Sequence, residues 1–384
     1  MTPGARIAAA IGILDAIRAG APAEQALTGW ARASRFAGSG DRAAVRDHVF
    51  DVLRSRRTLG DGDGRSLMLQ LAMRKEWDIA ALFSGEGHAP AKPDPSEIVL
   101  LDWPPGPIAC DIPDWLWPLW EESLGADALH VAHVLQERAP VFLRVNLRRG
   151  TRAQAAAALA AEGIETAPHP QLASALQVTG NARRVKTARA YQTGLVELQD
   201  AASQWAVGLL PLAQAERVLD YCAGGGGKAL AIADLCTAKV HAHDIAPARM
   251  RDLPARAARA GVTISMVESA AVADHAPYDL VFCDAPCSGS GTWRRTPDAK
   301  WRLTQGSLDQ LLRSQDDVLA AVQALVGSDG VLAYATCSVL TCENDARIAA
   351  FCSAFPDWGV VFQQTRLPDA EGDGFFLAIL RRNL

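Results

Sequence analysis

The chain has 8 cysteines but no CxxC pair and no regular cysteine spacing. That argues against a structural zinc site and a disulfide framework, and for a reduced, cytoplasmic setting without metal. No apolar run approaches the roughly 20 residues of a membrane-spanning helix, so no membrane partner is expected. The N-terminal MTPGARIAAAIGILDAIRAG is apolar enough to pass for a signal peptide. Asp15 and Arg18 interrupt it, and Ile7, Ile11, Leu14 and Ile17 recur at helical spacing, so it reads as an amphipathic helix. An excess of one charge is missing too: 38 Lys+Arg face 43 Asp+Glu, for a net charge of -5. Global charge therefore does not advertise a nucleic-acid partner, although a local patch can serve. A phosphate-binding P-loop is excluded, because Ala229 stands after Lys228 where Ser or Thr is required.

What is present is ample core: 384 residues at 49% hydrophobic content, enough for two or three domains. Residues 1–85 read as helices, with Val45, Val49, Val52 and Leu53 as an apolar stripe. Arg42, Arg46, Arg54, Arg56 and Arg57 flank that stripe and read as a solvated basic face. Residues 86–110 form a linker, opening on the Gly- and Pro-rich GEGHAPAKPDP. In 111–190, IPDWLWPLWEE and HVAHVLQER predict helices, with Pro113 near the start of the first. PVFLRVN, an alanine-rich helix from Thr151 to Glu162 and LASALQVTG then make a small β-α-β unit. That unit carries two cation clusters, Arg144, Arg148, Arg149 and Arg152, then Arg183, Arg184, Lys186 and Arg189. One cluster would suit a solvated surface; two on one unit favour RNA phosphates. Residues 191–384 alternate strand and helix, with strands at RVLDYCA, KVHAHDI, VTISMV, YDLVFCD and GVLAYAT and a late antiparallel GFFLAIL. This predicts a doubly wound α/β sheet of Rossmann type.

The chemistry concentrates on that sheet. In LDYCAGGGGKALAIA, Gly224 to Gly227 leave a strand and open a helix, so the backbone turns sharply and approaches a ligand closely. The next strand ends at Asp244, where a carboxylate accepts both hydroxyls of an adenosine ribose. Capping the next helix is the plainer role for Asp244. These features leave nicotinamide dinucleotide and S-adenosylmethionine both open. YDLVFCDAPCS delivers Asp284, Pro286 and Cys287 to the carboxyl end of a buried strand, and GVLAYATCS delivers Cys337 beside them. Asp284 can hydrogen-bond a base edge. TWRRTPDAKW, at 292–301, interleaves cations with Trp293 and Trp301, a pattern that suits single-stranded nucleic acid, although core tryptophans explain the rings equally well. A thiolate is the strongest simple protein nucleophile. Cytosine C5 accepts a methyl group only after a nucleophile adds at C6, and two rim cysteines with a carboxylate meet that requirement.

PVFLRVN, LVELQDAASQ, CAGGGGK, DAPCSGSG with RRTPDAKW, and ATCSVLTCEN, in that order, resemble the Sun-type, RsmB-like family of RNA cytosine-5 methyltransferases. The resemblance implies a class I methyltransferase sheet, a small RRM-like β-α-β subdomain, and an all-helical, NusB-like RNA-binding N-terminal domain. It implies S-adenosylmethionine as donor and a flipped cytosine of RNA, ribosomal RNA above all, as acceptor. It implies that Cys337 attacks C6, that Cys287 assists breakdown of the adduct, and that Asp284 holds the cytosine edge beside the donor. Cys222, Ala223, Gly224, Gly225, Gly226, Gly227, Lys228 and Asp244 would hold the donor. Two departures stand out. The family's Ala-Pro-Gly-Gly-Lys-Thr is here Ala223, four glycines, Lys228 and Ala229. The family's third-strand Gly-Asp is Glu268–Ser269, which leaves Ser269 as the hydrogen-bonding residue near the adenine. A monomer with no appended C-terminal RNA domain is expected. The rival readings are an RNA-binding ribosome-assembly factor without turnover and, on the same fold, an NAD-dependent oxidoreductase, which would leave both cysteines idle.

Overall fold

A computed structural model describes residues 1–383. In chain order the helices of the first part are α1 (Pro3–Arg18), α2 (Ala23–Ala33), α3 (Ser39–Arg54), α4 (Gly64–Arg74), α5 (Ile79–Leu82), α6 (Trp117–Leu124) and α7 (Ala128–Gln136). Then come β1 (Val141–Val145), α8 (Arg152–Ala161), β2 (Thr166–Pro168), β3 (Ala175–Val178), α9 (Arg189–Gln192), β4 (Val196–Leu198) and α10 (Ala201–Gly208). The remainder is β5 (Arg217–Asp220), α11 (Gly227–Leu235), β6 (Lys239–Ala242), α12 (Leu253–Ala260), β7 (Ile264–Met266), β8 (Tyr278–Asp284), α13 (Pro297–Arg302), α14 (Gln305–Val322), β9 (Val326–Thr336), α15 (Asp345–Ala354), β10 (Trp358–Arg366) and β11 (Phe375–Arg382). The chain divides into two compact units.

The first unit is helical and takes in Met1–Glu121, Gly125–Arg138 and Trp293–Leu303. Local signals start its helices: Thr2 accepts from the Ala5 N–H at 3.2 Å ahead of Pro3, and Asp63 accepts from the Ser66 N–H at 2.8 Å ahead of α4. Ile7, Leu14, Val45, Val49, Val52 and Leu53 form its core, as their spacing predicts. Pro118, not Pro113, occupies the first turn of α6; the Pro113 carbonyl accepts from Leu116 in the turn before it. The stretch expected as a linker is tied down: Glu97 pairs with Arg65, and the Val99 carbonyl accepts from Gln70 at 2.7 Å.

The third piece of this unit decides between the two readings of TWRRTPDAKW in favour of core tryptophans. Trp293, Arg294 and Lys300 are at most 2% exposed. Trp293 stacks on Trp120 with ring centroids 5.9 Å apart, and the Trp301 indole donates to the Leu53 carbonyl at 2.6 Å. Arg54 donates to the Arg294 carbonyl at 2.7 Å. Burial draws Lys300 down to about 8, against the pull of Asp111. The tryptophans pack with the core, and Arg294 and Lys300 between them are buried, while Arg295 is half-buried.

The second unit holds two sheets. One is four-stranded and antiparallel, in the order β2-β3-β1-β4, with α8 packed against it. Its inner strands β1 and β3 are the predicted pair; β2 and β4 are only three residues each, too short to show a period. Of the first cation cluster only Arg144 is buried; Arg148 and Arg149 stay exposed, although each also makes a bond to the protein. Arg144 is buried against Asp234 and donates to Gln199 at 2.7 Å. Arg148 donates to the Ala233 carbonyl at 2.9 Å, Arg149 to the Ala260 carbonyl at 2.9 Å, and Arg152 to the carbonyls of His169 and Leu172. Ala233 and Ala260 lie in the last turns of α11 and α12, where carbonyls lack helical partners, and the arginines supply them. The side chains of Arg183, Arg184, Lys186 and Arg189 are exposed.

The other sheet has seven strands in the order β10-β11-β9-β8-β5-β6-β7. From β9 to β7 all pairings are parallel; β11 is antiparallel to both of its neighbours. The predicted antiparallel strand therefore exists but is not the edge. That place belongs to β10, whose VVFQQTR reads as surface because Val360 and Val361 are exposed. Cutting Trp293 back to alanine should lower the stability of the helical unit by about 3–5 kcal/mol. Guanidinium unfolding followed by tryptophan fluorescence checks this, with an earlier midpoint expected.

Candidate active site

The carboxyl ends of β5, β6, β8 and β9 surround one cleft of about 900 Å³ in the second unit. Its far wall is the glycine turn. Gly224 and Gly226 have φ of +52° and +78°, and a Cβ on Gly226 would lie 2.3 Å from Leu253. Glycine is thus required at 226 by both backbone and neighbour. Asp244 is buried and anchors this turn, accepting from the Gly224 N–H and the Ala246 N–H, each at 2.9 Å, with Arg249 at 3.1 Å. It lines the cleft as well; the expected helix-capping role is not seen, since the turn Pro247–Met250 has Ala246 as its N-cap and no side-chain cap. Ile245, next along, is 88% exposed, an apolar surface without cover at the cleft.

Two residues that sequence reasoning passed over shape the floor. Asp220 ends β5 fully buried, and neither carboxylate oxygen has a hydrogen-bond partner. Burial pushes its carboxyl up to about 7, with Lys228 opposing. An orphaned buried acid at a cleft is a place for a cation of the ligand. The signal was there, since a carboxylate entering the glycine turn of an otherwise apolar strand is costly to bury. His243 is the other: one ring nitrogen meets the Tyr221 carbonyl at 2.7 Å and the other meets the Ser269 hydroxyl at 2.8 Å. Ser269 itself does not line the cleft; it reaches the site through His243, which does.

The near wall carries the cysteines. β8 and β9 pair in parallel register with Asp284 opposite Ala335, so Cys287 and Cys337 leave neighbouring strands together. Their sulfurs are 3.4 Å apart, and both are free thiols. Lys228 reaches across from the start of α11 to Asp284 at 2.6 Å. Burial alone would lower Lys228, but the Asp284 carboxylate outweighs it and the amine is held above its usual range. Cys337 is drawn below the ordinary thiol range, first by the hydrogen bond from the Cys287 thiol. Burial and Asp284 oppose this, while Lys228 and Thr292 support it. Cys287 moves the opposite way, since its proton is the one shared. Cys283 and Cys110 are buried, and Cys222 lines the cleft with burial holding its thiol neutral. Among the described residues no group of side chains could hold a metal, and no helix is long and apolar enough to cross a membrane.

Six co-directional strands with one antiparallel strand inserted next to the edge, a glycine turn after β5 and an acid after β6 make this a class I methyltransferase sheet. The family described as 16S rRNA methyltransferase RsmB/F matches residues 207–381, and the ferredoxin-like domain of the same family matches residues 112–185. Ribosomal RNA small subunit methyltransferase B from Salmonella arizonae is 32% identical over 284 residues, 70% of this chain and 66% of the relative. Its counterpart from Cronobacter sakazakii is 33% identical, over 69% of this chain and 66% of the relative. The chain belongs to the RsmB/F methyltransferase family, and spans just under two thirds of these relatives' length. Solved structures share the fold. PH0851 matches all of the chain with a TM-score of 0.78 at 20% identity, and covers 99% of that structure. NSun6 from Pyrococcus horikoshii, solved with SFG, matches 71% of the chain with a TM-score of 0.63 at 18% identity, and covers 98% of that structure.

The site makes two checks available. Iodoacetamide should modify Cys337 at lower pH than Cys287, because the thiolate forms first on the sulfur with the depressed value; peptide mass spectrometry across pH reads this directly. Asp220 has its folded value raised to about 7, so its stabilising share is complete below the ordinary carboxylate range and is lost as pH rises through about 7. Asp220→Asn should therefore melt several degrees above the parent at pH 8 and nearly with it at pH 4, as calorimetry without ligand would show.

Proposed function

We propose that this protein transfers a methyl group from S-adenosylmethionine to C5 of a cytosine in RNA, most concretely ribosomal RNA, as a cytoplasmic monomer. The observation that carries the reading is the pair of free sulfurs 3.4 Å apart at the end of the donor cleft, beside the Lys228–Asp284 pair.

The cleft fits the donor on its own features. Asp220 offers an unpartnered buried carboxylate for the methionine ammonium, Asp244 offers acceptors for ribose hydroxyls, and exposed Ile245 offers an apolar face for adenine. Residues 222–228 form the turn over the methionine portion. When bound, the donor supplies an electrophilic methyl group. The chain's own residues do the rest. Cys337 adds as thiolate to C6, which breaks the ring's aromaticity and moves electron density onto C5. Asp284, its charge balanced by Lys228, accepts from the N4 amine of the base edge. After C5 has taken the methyl group its proton must leave, and the C6–sulfur bond then breaks to restore the ring and free Cys337. The short sulfur–sulfur distance supports giving the removal of the C5 proton to Cys287, which acts as base, directly or through water, once its own thiol proton has passed to solvent.

The helical unit fits RNA in a different way. Arg32, Arg35, Arg42 and Arg46 line an open groove of about 750 Å³ with Trp30, between α2 and α3. Arg46 is paired with Glu24; Arg32, Arg35 and Arg42 are exposed and make no ion pair among the described residues. Phe36, in the turn between the two helices, is 76% exposed. Such a groove is suited to a phosphate backbone; of the predicted basic face it holds only Arg42 and Arg46, since Arg54 is buried and Arg57 pairs with Asp114.

The test is methyl transfer from labelled donor to ribosomal RNA. Cys337→Ala should lose at least 1000-fold, while Cys287→Ala should accumulate a covalent protein–RNA adduct resolved on denaturing gels. An active Cys337→Ala variant would overturn the assignment. Donor binding by calorimetry with no transfer to any RNA would favour the assembly-factor reading instead. Reversing Arg32, Arg35 and Arg42 to glutamate should weaken RNA binding and flatten its salt dependence, with donor affinity unchanged.

A further inference from the structure

We infer that Glu343 is a positioning residue: its buried carboxylate binds together the two loops that carry the cysteines and so holds their sulfurs in contact. The assignment of a task to those sulfurs rests on the function proposed above; the geometry does not.

Glu343 is fully buried and lies outside the cleft, so it meets neither donor nor base. Each cysteine is followed by a serine, and Glu343 receives both. The Ser288 N–H donates to Oε1 at 2.8 Å, the Ser288 hydroxyl to Oε2 at 2.5 Å, and the Ser338 hydroxyl to Oε2 at 2.5 Å. Gln315, on α14, donates to Oε1 at 3.1 Å and to the Pro286 carbonyl at 2.9 Å. The Tyr334 hydroxyl fixes the Glu343 carbonyl at 2.9 Å, and Asn344 donates to the Ser338 carbonyl at 3.0 Å. Strand pairing ends at Asp284–Ala335. Beyond that point the ladder ends, and this carboxylate joins the two loops together with the Gly291 N–H bond to the Cys337 carbonyl at 2.9 Å and the Ser290 hydroxyl, which meets Ser338 and the Val339 N–H at 2.8 Å each.

All four side-chain contacts are ones that Glu343 accepts, which is why the position calls for an acid. An amide can keep an acceptor for the Ser288 backbone N–H only by putting its nitrogen at the Oε2 place, where the two serine hydroxyls that donate to Glu343 would have to turn and accept. Position and charge act together here. Cys287 faces Cys337, Glu343 and Asp284, whereas Cys337 faces Cys287, Asp284, Lys228 and Thr292. The Glu343 carboxyl lies on the Cys287 side of the pair.

The full-length protein is treated with iodoacetamide from about pH 6 to pH 10, without RNA, and modification at each cysteine is counted by mass spectrometry. The parent should favour Cys337 at low pH. In Glu343→Gln that preference should fall on the order of tenfold and the two pH profiles should converge; Ser338→Ala should move the same way by less. With RNA, Glu343→Gln should lose roughly 10- to 100-fold in kcat, the scale of one or two lost buried hydrogen bonds, with KM for the donor unchanged. Parental selectivity and parental pH profiles in Glu343→Gln would overturn the inference. So would a collapse of melting temperature and donor binding in both variants, which would make Glu343 a general fold element. If the parent transfers no methyl group yet the alkylation profiles shift as expected, the functional reading falls and the positioning role stands.

Discussion

Parallel pairing of β8 with β9 is the constraint on which the site depends. Two strands about 5 Å apart, in register and both ending at the same rim, must release their following residues side by side. Cys287 and Cys337 are distant in sequence, yet their sulfurs are 3.4 Å apart for this reason. The separation is closer than strand spacing alone would give. The loops converge because Ser288 and Ser338 share one buried carboxylate. A shared proton between the sulfurs then makes the two thiols unequal, and the Lys228 and Thr292 side of the pair becomes the more acidic.

Charge is used economically throughout the second unit. Few of its cations near the cleft stand alone: Lys228 is held by Asp284, Arg249 by Asp244, and Arg144 by Asp234. Among the acids at the cleft Asp220 differs: it is buried, with neither oxygen hydrogen-bonded among the described residues. A group that is expensive to bury and unsatisfied makes sense only if something completes it. That makes Asp220 as informative about the ligand's charge as the glycine turn is about its shape.

The sheet was legible because buried strands have an unambiguous pattern: β8 and β9 are apolar runs that end at a proline-containing turn and at a Thr-Cys-Ser, and their bounds hold to within a few residues. β10 was not, because an exposed edge strand alternates weakly, and β2 and β4 were too short to register. The same limit explains the cations. Arginine at 144, 148, 149 and 152 looks like a phosphate surface in one dimension, since a solvated guanidinium and one that satisfies a helix-end carbonyl have the same letter. Trp293 and Trp301 read equally as rings for stacking on bases and as core, and they stack and hydrogen-bond inside the helical unit.

By itself the sequence determined which groups are available and on which elements: the glycine turn, Asp244, Asp284 and the two cysteines all follow from local pattern. Only the tertiary structure decided how they act on one another. That Lys228 crosses to Asp284, that Asp220 is left without a partner, that His243 stands between Tyr221 and Ser269, and that Glu343 gathers both cysteine loops are all contacts between residues far apart in the chain. Such contacts depend on the order and register in which strands pair, and periodicity within a single strand carries no information about its neighbour.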